Sequence, residues 1–88
     1  MRTGQARRRD TAEKAIIAAL RAVGAVVIPI SGRGAPDVAV FWRGQHFMGE
    51  IKTGKGSLTP AQVEAGAGRL WPVWRSVEDA LQTIGAQR

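Results

Sequence analysis

The spacing of apolar positions changes along the chain, and the changes divide it into short elements. Ala12, Ile16, Ala19, Leu20 and Val23 recur at helical spacing after Asp10, which suits an N-cap, and Gly24 suits the helix end. Ala25 to Ile30 is a short apolar run that reads as a strand ending near Pro29. Two more runs, Asp37 to Trp42 and His46 to Lys52, flank the turn-like Arg43, Gly44 and Gln45 and read as a β-hairpin. Thr59, followed by Pro60 at the first helical position, opens a second helix that Gly66 and Gly68 keep short. Leu70 to Trp74 predicts a last strand, and Ser76 caps a last helix to about Ile84, with Gly85 behind it. The order αβββαβα predicts a small α/β domain, a mixed sheet flanked by helices. Pro29 and Pro72 each interrupt the strand they occupy. Residues 1–9 are polar and basic and read as a flexible arm; residues 10–88 make the single domain.

The hairpin brings scarce residues together. The chain has only seven acidic residues, and two of them, Asp37 and Glu50, fall on the two hairpin strands. If Arg43 and Gly44 are the loop, Trp42 faces Gln45 and Asp37 faces Glu50; a three-residue loop shifts that partner by one. Either register makes the two acids cross-strand neighbours, with Cβ atoms roughly 5 to 8 Å apart. Lys52 follows Glu50 by two residues and so shares its strand face.

Two carboxylates without a cysteine, and with a single histidine in the chain, suit a hard cation, Mg2+ or Mn2+, better than zinc. Asp37 and Glu50 are the expected direct ligands, with the Ile51 carbonyl as a third oxygen. Lys52 would stand beside an attacking water, orienting it or helping to deprotonate it, and would counter charge in a phosphoryl transition state. His46 lies four residues before Glu50, about 13 Å along a strand, too far to share the metal. A surface Asp with an ordinary Glu/Lys pair would give the same letters. It is Pro36-Asp37 at hairpin distance that favours the metal site.

Composition adds a partner. Thirteen Lys and Arg against seven acids give a formal charge of +6, a balance that favours a polyanion. Arg7, Arg8 and Arg9 in the basic arm, and Arg33 and Lys55 in Gly-rich loops, are the candidate phosphate contacts. Trp42, beside the hairpin tip, is a further candidate for nucleic-acid contact, while Trp71 and Trp74 with Leu70 suit a core or a subunit interface. A chain of 88 residues buries only about 60% of its unfolded surface, which makes a homodimer attractive. No apolar run approaches the ~18 residues of a membrane span, and the basic N-terminus lacks the apolar core of a secretory signal. Those absences and the lack of cysteine predict a soluble cytoplasmic protein with no membrane association.

These motifs together resemble the VRR-Nuc branch, the virus-type replication-repair nucleases, of the PD-(D/E)xK superfamily. The matching residues are Glu13 in the first helix, Gly34-Ala35-Pro36-Asp37, Glu50-Ile51-Lys52, Leu58-Thr59-Pro60-Ala61-Gln62 and the closing Arg75 to Leu81. The resemblance spans Asp10 to Ile84 and departs in one respect, the second helix being shorter than is usual there. It implies that Glu13 faces the metal, directly or through water, and that Gln62 positions the water or a phosphate. Both residues also stand in capping-box spacing, Asp10 to Glu13 and Thr59 to Gln62, and either role suits them. The resemblance further implies a Mg2+- or Mn2+-dependent endodeoxyribonuclease without a nucleotide cofactor, resolving branched, Holliday-junction-type DNA by paired nicks in a bacterial or phage-infected cell. The alternatives are a nicking or restriction-like nuclease on other DNA or RNA, and a basic DNA-binding module without catalysis.

Overall fold

The computed structural model describes residues 3–86, with side chains from residue 11 onward. Its elements run α1 (Thr3–Ala22), β1 (Val26–Pro29), β2 (Val38–Trp42), β3 (Gln45–Ile51), α2 (Pro60–Ala65), β4 (Val73–Trp74) and α3 (Val77–Ile84), the predicted αβββαβα order. The first helix differs from expectation. It starts at Thr3, so its backbone runs through the segment read as an arm, and Asp10 lies inside the helix instead of at its N-cap. The residues from Gln5 to Arg9 are all good helix formers, which offers no reason for the helix to stop at Asp10.

β1, β2 and β3 pair antiparallel, and β4 joins β3 in parallel, giving the sheet order β1-β2-β3-β4. In the hairpin Trp42 pairs with Gln45, so Arg43 and Gly44 alone form the loop. Their φ values of 53° and 78° are the positive pair that a tight two-residue turn requires to match the twist of its strands. β4 is shorter than predicted: Pro72 lacks the N–H a strand would use, and only Val73 and Trp74 pair with Glu50 and Ile51.

Alternation along the strands separates two faces. Val27, Val38, Val40 and Ile51 point inward, where Ile16 and Leu20 of α1 and Ala80, Leu81 and Ile84 of α3 complete the core. Trp74 lies at its centre, 1% exposed, with its indole N–H donated to Thr83 Oγ1 at 2.9 Å. The indole lies against the backbone of Gly49, where even a Cβ would collide with the ring. Gly49 is therefore a packing requirement, and Trp74 belongs to the core and not to an interface.

The opposite face is covered unevenly. Val26, Ile28, Phe41 and Met48 remain exposed on it, whereas α2 and the segment after it close over the end that carries Glu50. Trp42 is tied down as well. Its Nε1 donates to the Val23 carbonyl at 3.2 Å and the Arg43 guanidinium lies 4.3 Å above its ring, so the protein itself fixes the orientation of the indole. Among the described residues no helix is long and apolar enough to cross a membrane.

Candidate metal centre

The ladder between β2 and β3 ends at Val38 and Gly49, one pair short of the acids. The Asp37 N–H reaches the carbonyl of Gly49 at 2.9 Å, so Asp37 and Val38 together stand against a single residue of β3. This is a bulge, a device that re-aims a side chain at a strand end. The two-residue loop and its register are as counted from Trp42 to Val38, and only at the last position does the bulge leave Asp37 a close neighbour of Glu50 instead of its ladder partner. Its Oδ2 accepts the N–H of Ile51 at 2.7 Å, a short charge-assisted bond that fixes the carboxylate at the mouth of the hairpin. The loop leading into Asp37 is seated by Gly34, whose φ is 77°; a side chain there would press on the Ala61 carbonyl of α2.

Glu50 is the one buried charged residue among the described residues, with no exposed surface. Both of its oxygens are held. Gln62 Nε2 donates to Oε2 at 2.9 Å, and Trp71 Nε1 donates to Oε1 at 3.2 Å. Burial pushes the Glu50 carboxyl above its ordinary value, and the neighbouring Asp37 adds to the rise through its charge and a side-chain hydrogen bond. The Trp71 hydrogen bond and the positive charge of Lys52 act the other way.

The Gln62 side chain caps its helix and reaches Glu50 at the same time. Its side-chain oxygen accepts the Thr59 N–H at 2.8 Å while its backbone N–H donates to Thr59 Oγ1 at 3.1 Å, a complete capping box. Because the cap uses the oxygen, the amide nitrogen is the end turned to Glu50. Helix capping therefore orients the site.

Lys52, whose charge acts on Glu50, also lines a cleft with Glu13. This cleft, lined by Glu13, Ile51, Lys52, Thr53 and Gly56, brings the first helix against the end of β3. The loop beyond Lys52 is pinned by Arg75, whose Nη1 donates to the carbonyls of Gly54 at 2.9 Å and Gly56 at 2.8 Å. Arg33 and Lys55 are both exposed on their loops, and His46 is exposed away from the acids. The side chains of Arg7, Arg8 and Arg9 lie outside the described residues.

Asp37, Glu50, Lys52 and Gln62 are thus gathered around one point, and Glu13 shares a cleft with Lys52. Two participants were not evident from the sequence. Trp71 looked like a core or interface residue, and its contact with Glu50 spans 21 residues of chain that no local pattern encodes. Arg75 likewise gave no sign of clamping the loop after Lys52. Among the described residues no group of three or more His, Cys, Asp or Glu side chains is placed to hold a metal ion. Compared with known protein families, curated proteins and solved structures, the chain finds no match in any of the three.

Proposed function

We propose that this chain is a Mg2+- or Mn2+-dependent endodeoxyribonuclease of the VRR-Nuc type that acts on branched DNA. The observation that carries the proposal is the meeting of Asp37 and Glu50 at the broken end of the hairpin, with Lys52 near enough for its charge to act on Glu50. Two carboxylates in contact repel unless a proton or a cation is shared between them. Their oxygen donors and the lack of thiolates suit a hard divalent ion.

Such an ion supplies Lewis-acid charge to a phosphodiester and makes water more acidic. Asp37 and Glu50 would hold it, with the Ile51 carbonyl as the expected third oxygen. Lys52 offers a cation to the developing negative charge and a donor to the attacking water. Gln62, fixed at its other end by the helix cap, keeps Glu50 aimed. Glu13, across the cleft from Lys52, is suited to the outer part of the ligand set or to a water. The charge of +6 supports a polyanionic substrate, with Arg33, Lys55 and the Arg7, Arg8 and Arg9 run as phosphate contacts.

Paired nicking requires two sites, and a homodimer provides them. With Trp74 in the core, Leu70 and the bare sheet face of Val26, Ile28, Phe41 and Met48 are exposed and available to a second copy. The test is incubation with a labelled four-way junction, a matched linear duplex and an RNA duplex, with Mn2+ or with EDTA. Preferential, Mn2+-dependent nicking of the junction is expected. Equal cutting of the linear duplex or of RNA would favour the alternative nuclease reading, and no cutting of any substrate would reduce the protein to a binding module.

A further inference from the structure

We propose that Trp71 is a positioning residue for Glu50: its indole N–H fixes one carboxylate oxygen so that the other lone pairs remain free to bind a divalent cation. The inference rests on the metal-site reading of Asp37 and Glu50.

The geometry is specific. A carboxylate turns freely about its last bond unless both oxygens are held, and here Gln62 holds Oε2 while Trp71 holds Oε1. Each donor is itself anchored. Gln62 is fixed by the Thr59 cap, and the Trp71 carbonyl accepts the Gly68 N–H at 2.7 Å within a tight turn. The next carbonyl, that of Pro72, accepts the Glu50 N–H at 2.9 Å, so backbone and side chain from the same segment grip the same glutamate.

The chemistry of the donor fits the task. An indole N–H donates one hydrogen bond, carries no charge and accepts nothing, whereas each carboxylate oxygen has two lone pairs. Trp71 therefore orients Glu50 without neutralising it and leaves each oxygen a site for a cation. A Lys or Arg in its place would compete with the metal for the same charge. The other two tryptophans donate to neutral groups, Trp42 to the Val23 carbonyl and Trp74 to the Thr83 hydroxyl. Only Trp71 places its N–H on an ionisable side chain of the site.

The test removes and then restores one donor. In an imidazole, Nε2 occupies the ring position that Nε1 has in indole, so Trp71→His keeps an N–H where Trp71→Phe keeps only a ring. Mn2+ affinity is measured by calorimetry at pH 8 for wild type, both variants, Trp42→Phe as a matched loss of an indole elsewhere, and Asp37→Asn. Trp71→Phe should weaken Mn2+ binding about 10- to 100-fold, the range for groups that orient metal ligands, while Trp71→His stays within about threefold and Trp42→Phe is unchanged. Equal losses in Trp71→Phe and Trp71→His would mean that packing matters and not the N–H, and would overturn the assignment. Undiminished binding in Trp71→Phe alongside loss in Asp37→Asn would overturn it and leave the metal site standing. No Mn2+ binding by wild type would overturn both. Should Trp71→Phe not fold, the indole N–H resonance of Trp71 in wild type decides: it should shift on Mg2+ saturation while those of Trp42 and Trp74 stay, and an unmoved Trp71 signal overturns the proposal.

Discussion

The two ends of the β2–β3 hairpin are built on different rules. At the tip, Trp42 pairs with Gln45 and two residues with positive φ turn the chain, so backbone conformation alone defines the geometry. At the base the ladder stops, and side chains take over the backbone groups: Asp37 accepts the Ile51 N–H, and Gln62 and Trp71 close on Glu50 from elsewhere in the sequence. Regular pairing leaves nothing to do chemistry with. The ionisable groups gather where pairing fails and fill the resulting gap.

That contrast can be broken most severely at the base. Asp37→Asn or Glu50→Gln should abolish cleavage while DNA binding is kept or tightened, because each removes a ligand and also a negative charge near phosphates. Gel-shift and cleavage assays on one preparation separate the two effects, and parallel loss of both would indicate misfolding. Lys52→Ala should cost on the order of 100-fold in single-turnover rate, the scale of a lost electrostatic or proton-transfer contribution. Its Mn2+ affinity should survive; an undiminished rate would remove Lys52 from the mechanism.

A smaller effect follows from the raised Glu50 pKa. Above its ordinary value of 4.5 an unfolded Glu50 has lost its proton while the folded one still holds it, so the folded state binds more protons in that window. The Glu50 contribution to stability accordingly falls as pH rises from 4.5 through the folded value. A divalent cation that replaces the proton reverses the trend. Thermal unfolding should show Mn2+ stabilising the protein by about 2.7 kcal/mol at pH 8 at a hundredfold excess over Kd, and by less at pH 5. Equal stabilisation at both pH values would place the cation away from Glu50.

The smallest effect belongs to the tip. Trp42→Phe loses the hydrogen bond to Val23 and should cost about 1 kcal/mol in urea unfolding with Mn2+ affinity intact. A change in metal binding from this substitution would mean that the two hairpin ends are coupled.

What the sequence made legible follows the same division. The hairpin loop, the Thr59 and Ser76 caps and the glycine after α3 are written in adjacent residues, and all are found where the letters put them. The bulge at Asp37 was not legible, because nothing in the order of residues marks where a ladder stops. The start of α1 was misread since Asp10 suits an N-cap, but a good cap residue does not end a helix that good helix formers extend beyond it. Trp74 and Trp71 carry the same side chain three residues apart, yet one fills the core and the other serves an acid. Their difference depends on which strand neighbour lies opposite, a long-range fact.

The most direct measurement is a crystal structure of the protein soaked in Mn2+, with the ion located by its anomalous signal. A peak is expected at coordination distance from both the Asp37 and the Glu50 carboxylates, with Trp71 still donating to Glu50. A saturating soak that leaves those carboxylates without a peak, or puts the ion on other side chains, would contradict the proposed metal site.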